Sequence, residues 1–181
     1  ALSLARKGKR VLLMDMDGKK PAIYKLFGCS YIENAELGML FNGEISSRDY
    51  KLRRYKKNKL YLALNTRAYA SSYKWIESGV VKRTLKGLRG MVDYIIIDTA
   101  PLSVDSSVSE IIKLADKTVL VVKTDVVETT TINDAILTIT DYGGNLAGCI
   151  LNQTHPDMII SSFTGASDDS KHSRGRYYQK G

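Results

Sequence analysis

The 181-residue chain holds only two cysteines, Cys29 and Cys149. They form no CxxC pair and show no metal-ligand spacing, which argues against a disulfide framework and against a thiolate metal centre. Both sit in apolar stretches, so reduced, structural thiols in a cytoplasmic protein are expected. Long apolar runs are missing too. The longest, such as Tyr94 to Ile97 and Val119 to Val122, span four to six residues, whereas a membrane-crossing helix takes roughly 20. No basic leader with an apolar centre opens the chain, and its first residue is Ala1 rather than methionine, so the beginning reads as a cut edge. Internal repeats are absent.

What is present suits one globular domain, since 44% of the residues are hydrophobic, enough to bury a core at this length. Basic residues outnumber acidic ones by 27 to 19, a formal charge of +8. Such a surface seeks nucleic acid, anionic lipid or acidic protein, without choosing among them. Short runs rich in Val, Ile and Leu predict strands at Val11 to Asp15, Leu60 to Leu64, Tyr94 to Asp98, Thr118 to Val122 and Gly148 to Asn152. Runs of this kind suit strands buried on both faces. Between them, Val108, Ile111, Ile112 and Ala115 repeat at helical spacing, as do Ile132, Ala135, Ile136 and Ile139, with Gly143 and Gly144 stopping the second helix. A longer helix is expected from Tyr73 to about Arg89, interrupted by Gly79 and Gly87. Ala1 to Arg6 read as the last turns of a helix that ends near Gly8. The alternation predicts an α/β fold with a doubly wound, mostly parallel sheet over residues 1–152. Residues 153–181, rich in Ser, Asp, Gly, Lys and Arg, read as a flexible tail.

Two of the apolar strands end in aspartate: VLLMDMD supplies Asp15 and Asp17, and YIIIDTAP supplies Asp98. In an open parallel sheet the carboxyl ends of the strands form the ligand crevice, so residues far apart in sequence meet there. Clustered carboxylates at that place suit Mg²⁺, a hard cation that takes oxygen ligands and is shared with substrate phosphates. A single aspartate after a buried strand more often caps a helix or starts a turn. The repetition on two strands favours the metal and phosphate reading.

GKRVLLMDMDGKKP followed by LFG resembles the second Walker element of the bacterial tyrosine kinases of capsular and extracellular polysaccharide biosynthesis. VDYIIIDTAPL is similar to their Walker B strand, and ALSLARKGKR to the end of the helix that follows their phosphate-binding loop. The likeness is collinear from Ala1 to about Asn152 and extends to their P-loop ATPase relatives, which partition chromosomes and position division septa. It implies a P-loop NTPase-like domain that uses ATP and Mg²⁺ to phosphorylate protein tyrosine. By the same resemblance, Asp15 stands near Mg²⁺ and the reacting hydroxyl as a general base, Asp17 is the second acid, and Asp98 holds the metal. Thr99 lies beside it, and Asn152 matches the asparagine presented to the adenine edge. Tyr177 and Tyr178, in the terminal RGRYYQKG, correspond to the tail tyrosines phosphorylated by a neighbouring subunit.

This chain departs from the family pattern in several places. No GxxxxGK[ST] or related glycine-lysine loop occurs in the 181 residues. That loop supplies the N–H nest, lysine and hydroxyl that hold a triphosphate, so this piece alone is expected to bind nucleotide weakly or not at all. Gly18 stands where a bulkier residue is expected, Lys19 where arginine is usual, and Ala100 replaces a proline. The segment RDYKLRRYKKNK carries Arg48, Lys51, Arg53, Arg54, Lys56, Lys57 and Lys59 around Tyr50 and Tyr55. Basic residues interleaved with aromatics can hold nucleic acid, but a solvated helix face, or a surface near anionic lipid, is the preferred reading. The resemblance further implies a membrane-spanning activator of the polysaccharide co-polymerase type, self-association, protein tyrosine substrates, and a place at the cytoplasmic face of the plasma membrane. Two other readings stay open: a partitioning or positioning switch ATPase, and a catalytically silent scaffold.

Overall fold

The computed structural model describes residues 1–69 and 72–154. Its elements run α1 (Leu2–Arg6), β1 (Val11–Asp15), α2 (Ile23–Leu26), α3 (Leu37–Phe41), β2 (Arg53–Arg54), β3 (Leu60–Ala63) and α4 (Ser72–Glu77). They continue with α5 (Val80–Leu88), β4 (Tyr94–Asp98), α6 (Ser107–Leu114), β5 (Thr118–Lys123), α7 (Thr129–Asp141) and β6 (Leu146–Asn152). Every expected strand is present. The helix expected over 73–89 is two helices, because Gly79 takes φ +68 between α4 and α5, a left-handed turn that no helix interior accommodates.

Strand order is β2-β3-β1-β4 in one sheet and β5-β6 in another, all pairs parallel except β2 with β3. Side chains alternate across a strand, and β1 uses both faces. Leu12 and Met14 enter a core with Leu37 and Phe41 of α3, Trp75 of α4 and Leu85 of α5. Val11 and Leu13 enter a second core with Ala5 of α1 and Ile23 of α2. A third cluster joins Val108 and Ile112 of α6 to Ile139 of α7. Since Ile111 of α6 belongs to the first core, this helix links the two sheets.

The expectation of strands buried on both faces holds for β1, whose five residues are all buried, and fails for β4 to β6. Val121 is 60% exposed and Leu151 61%. The reason is which faces are covered: α7 packs on the β5-β6 pair, and along β5 Val122 is 5% exposed while Val119 and Val121, on the other face, are 50% and 60% exposed. Cys149 of β6 is likewise exposed, which corrects its reading as a packed thiol; Cys29 is partly buried in the second core. The basic segment is a β-hairpin from β2 to β3 rather than a helix face. Arg53 turns inward, its guanidinium 3.4 Å from the wholly buried carboxylate of Glu36.

One contact shows how tightly the first core is closed. A Cβ placed on Gly38 of α3 would lie 2.5 Å from the ring of Tyr69, itself buried and packed beside Trp75. With the ring buried between that face and Trp75, Gly38→Ala should cost about 1–3 kcal/mol of overpacking strain. Chemical denaturation of Gly38→Ala, alone and combined with Tyr69→Ala, checks this, the double variant showing less than the sum of the two single losses.

Candidate functional site

The parallel pairing of β1 with β4 sets Asp15 directly beside Asp98 at the carboxyl ends of the two strands. The main chain is locked there by a 2.8 Å bond from the Met16 N–H to the Asp98 carbonyl. Asp15 is 0% exposed. Its Oδ1 accepts from the Asp17 N–H at 3.2 Å and its Oδ2 from the Ile23 N–H at 3.4 Å. Burial pushes the carboxyl up to about 6, because loss of water outweighs those two N–H groups, and the charge of Asp98 adds to the rise. Asp98 is more open to solvent; it too is raised, first by the desolvation of its carboxyl and then by the charge of Asp17.

Asp17 closes the loop after β1, its Oδ1 accepting from the N–H groups of Lys19 and Lys20 at 3.1 and 2.9 Å. One oxygen of this residue therefore does the turn-forming work that aspartate does in many loops. The loop is gripped from the far side by the segment after β3. Asn65, wholly buried, donates to the Asp15 carbonyl at 3.3 Å and accepts from the Gly38 N–H at 2.7 Å, and the Tyr69 N–H donates to the Gly18 carbonyl at 2.7 Å. Glu36 fixes the same segment by accepting from the Thr66 N–H at 2.6 Å. Asp105, buried at the entry to α6, lies 3.8 Å from the Lys19 ammonium and accepts from the Ser107 N–H.

Sequence reasoning missed Asn65, Glu36 and Asp105. Asp105 carried the only legible signal, an acid just before a helix. Thr99 follows Asp98 and is half-buried. Asn152 ends β6 in the two-stranded sheet, where its Oδ1 accepts from the Gln153 N–H. The structure thus joins Asp15, Asp17 and Asp98 at one strand-end cluster and sets Asn152 on the other sheet. Tyr177 and Tyr178 lie outside the described residues.

Among the described residues no three His, Cys, Asp or Glu side chains form a cage for a metal ion. The donors are instead a pair of adjacent carboxylates, both with raised pKa. That donor set fits Mg²⁺, which is bound through one or two carboxylates and completes its shell with water and phosphate oxygens. It also fixes a pH dependence. In the unfolded chain the Asp15 carboxyl titrates near 3.8 and in the metal-free fold near 6, so the stability it contributes is complete below pH 4 and is lost as pH rises through 6. The wild-type advantage over Asp15→Asn should shrink by about 2–3 kcal/mol between pH 4 and 7, and added Mg²⁺ should recover part of it at pH 7; urea titrations of both proteins at each pH measure the difference.

No protein-family model matches the chain, and no curated protein sequence does. Solved structures do. The VpsO kinase domain is 26% identical over 85% of this chain and 74% of its own, with a TM-score of 0.75. The BceF tyrosine kinase domain is 25% identical over 82% of this chain and 58% of its own, with a TM-score of 0.70. MinD of Pyrococcus horikoshii, a septum-site-determining protein solved with Mg-ADP, is 17% identical over 89% and 67%, with a TM-score of 0.68. The chain is an α/β domain with a mostly parallel sheet whose fold is similar to those of bacterial tyrosine kinase domains and of MinD.

Proposed function

We propose that the intact protein is an ATP- and Mg²⁺-dependent protein-tyrosine kinase that phosphorylates itself and other proteins, and thereby regulates assembly or export of a capsular or extracellular polysaccharide. The observation that carries this reading is the in-register pair Asp15 and Asp98, one buried and one open, at the strand ends. The likeness to the VpsO and BceF domains supports the kinase class. Phosphoryl transfer asks little covalent chemistry of a protein and much positioning and charge neutralisation.

In this reading Asp98 and Asp15 hold Mg²⁺, which when bound offsets the charge of the transferring phosphoryl group. Asp15 takes the proton of the attacking tyrosine hydroxyl. With Mg²⁺ beside it the Asp15 carboxylate would be held ionised and so able to accept that proton. Asp17 shapes the loop and adds negative charge on the open side. Thr99 and Asn152 are proposed nucleotide contacts, Asn152 at the adenine edge, where an amide can both donate and accept. The bond formed joins phosphorus to the tyrosine oxygen and the bond broken releases ADP. With no glycine-lysine loop in the 181 residues, the cradle for the triphosphate is to come from outside them. Tyr177 and Tyr178 are the proposed acceptors. A membrane-spanning activator of the polysaccharide co-polymerase type, fused or separate, is the proposed partner and holds the domain at the inner face of the plasma membrane; self-association serves phosphorylation between subunits. Among the described residues no helix is long and apolar enough to cross a membrane.

The likeness to MinD supports a second reading, a nucleotide switch that phosphorylates no protein. Incubating the intact protein with ATP and Mg²⁺, with and without the activator, followed by phosphosite mapping, separates the two. The expected result is phosphate on Tyr177 or Tyr178, reduced about a hundredfold or more in Asp98→Asn, the scale on which electrostatic catalytic groups act. ATP hydrolysis without phosphotyrosine, from folded and activated protein, favours the switch; neither activity leaves a silent scaffold.

A further inference from the structure

The parallel register that gathers acids at one end of the sheet gathers bases at the other. Val11 pairs with Leu60, the Val11 N–H donates to the Lys59 carbonyl, and the Asp93 N–H donates to the Arg10 carbonyl. Residues just before β1, β3 and β4 therefore share one end of the molecule. At about 3.3 Å per residue, the five residues of β1 put that end some 15 Å from Asp15 and Asp98. Arg6, Lys7, Lys9 and Arg10 lead into β1, and all are exposed. Lys56, Lys57 and Lys59 form the turn between β2 and β3, and all are exposed as well. Against these seven cations the starts of β1, β3 and β4 offer one acid, Asp93, which Arg10 takes up through its main-chain N–H at 2.7 Å and its guanidinium at 3.0 Å; Asp116, just ahead of β5, is paired with Arg89 at 2.8 Å. Beside them Met91, two residues ahead of Asp93, is 64% exposed.

From this geometry we propose that the amino-terminal end of the sheet is a docking surface for an anionic lipid bilayer, which the basic residues meet through headgroup phosphates and carboxylates while Met91 enters the interface. Polybasic segments are drawn to such surfaces within a Debye length, and an apolar side chain beside them adds the second signal that stable peripheral binding takes. Nucleic acid fits less well. Single-strand binding uses aromatic faces free for bases, and the aromatic of this turn, Tyr55, is packed edge-on against Phe27 at 4.9 Å. Arg54 is likewise turned back onto the carbonyls of Asn58 and Lys57. Docked this way, the domain turns its carboxylate cluster away from the bilayer, whichever activity that cluster serves.

Vesicle sedimentation of the full 181-residue chain tests the proposal without nucleotide. Binding to phosphatidylcholine vesicles containing about 30% phosphatidylserine should exceed binding to phosphatidylcholine alone about tenfold, and vanish at about 0.5 M salt. Reversing the turn, Lys56→Glu with Lys57→Glu and Lys59→Glu, should abolish the difference. Reversing Lys25, Lys74 and Lys123, an equal charge change elsewhere, should leave most of it. Lys7→Ala with Lys9→Ala, and Met91→Ser, are milder variants should the triple reversal not fold, and each should weaken binding several-fold. Equal losses in the turn and control variants would reduce the effect to net charge and overturn the proposal. So would absence of vesicle binding, or preference for a DNA duplex over the anionic vesicles.

Discussion

Two carboxylates on neighbouring strand ends repel one another, and one of them has been taken out of water. The pairing of β1 with β4 forces this juxtaposition, since register places Asp15 and Asp98 side by side whatever their charges prefer. Hydrophobic burial drives the pairing: Leu12 and Met14 on one face of β1 and Val11 and Leu13 on the other are each committed to a different core. The repulsion is thus held in place by contacts that have nothing to do with it. This is the common arrangement for an ion site, where a scaffold stabilised elsewhere tolerates a local cost that a bound cation relieves.

The second layer around the cluster serves accuracy more than stability. Asn65 spans from the Asp15 carbonyl to the Gly38 N–H, and Gly38 in turn admits the Tyr69 ring, whose main-chain N–H reaches the Gly18 carbonyl. Loop, helix start and the segment after β3 close a ring of contacts around the carboxylate strand. Such backing shells limit the wander of a functional side chain. The inward Arg53 and Glu36 anchor that same segment from beneath, an ion pair whose two members both sit in the interior.

Much of the architecture was legible in apolar periodicity. The strands around Asp15 and Asp98 are compact Val, Ile and Leu runs, and α6 and α7 show clean helical stripes, so their type and order follow from side-chain spacing. The short helices α2 and α3 were invisible because one turn of helix carries too few residues for a period to register. Asn65 and Glu36 were also invisible, since their roles depend on partners 27 to 50 residues away. A run of lysines and arginines gave no hint that Arg53 alone among them would turn inward. The exposure of β4 to β6 could not be read either: composition tells that a strand is apolar, and only what packs on its faces decides whether it is covered.

The sheet register also sets a timetable. Asp15 waits for Asp98, a partner 83 residues further along the chain, as do their neighbours Arg10 and Asp93. At about 5–20 residues per second a ribosome takes some 4 to 17 seconds to cover that interval. Throughout it the VLLMD segment lacks its β4 neighbour, and for most of it also the α4 and α5 surfaces that cover it. Sequence-distant pairing of this kind is slow to form in any case. The carboxylate pair is therefore a late product of synthesis, and the nascent chain passes through a stage in which a strand that ends wholly buried is finished and still unprotected.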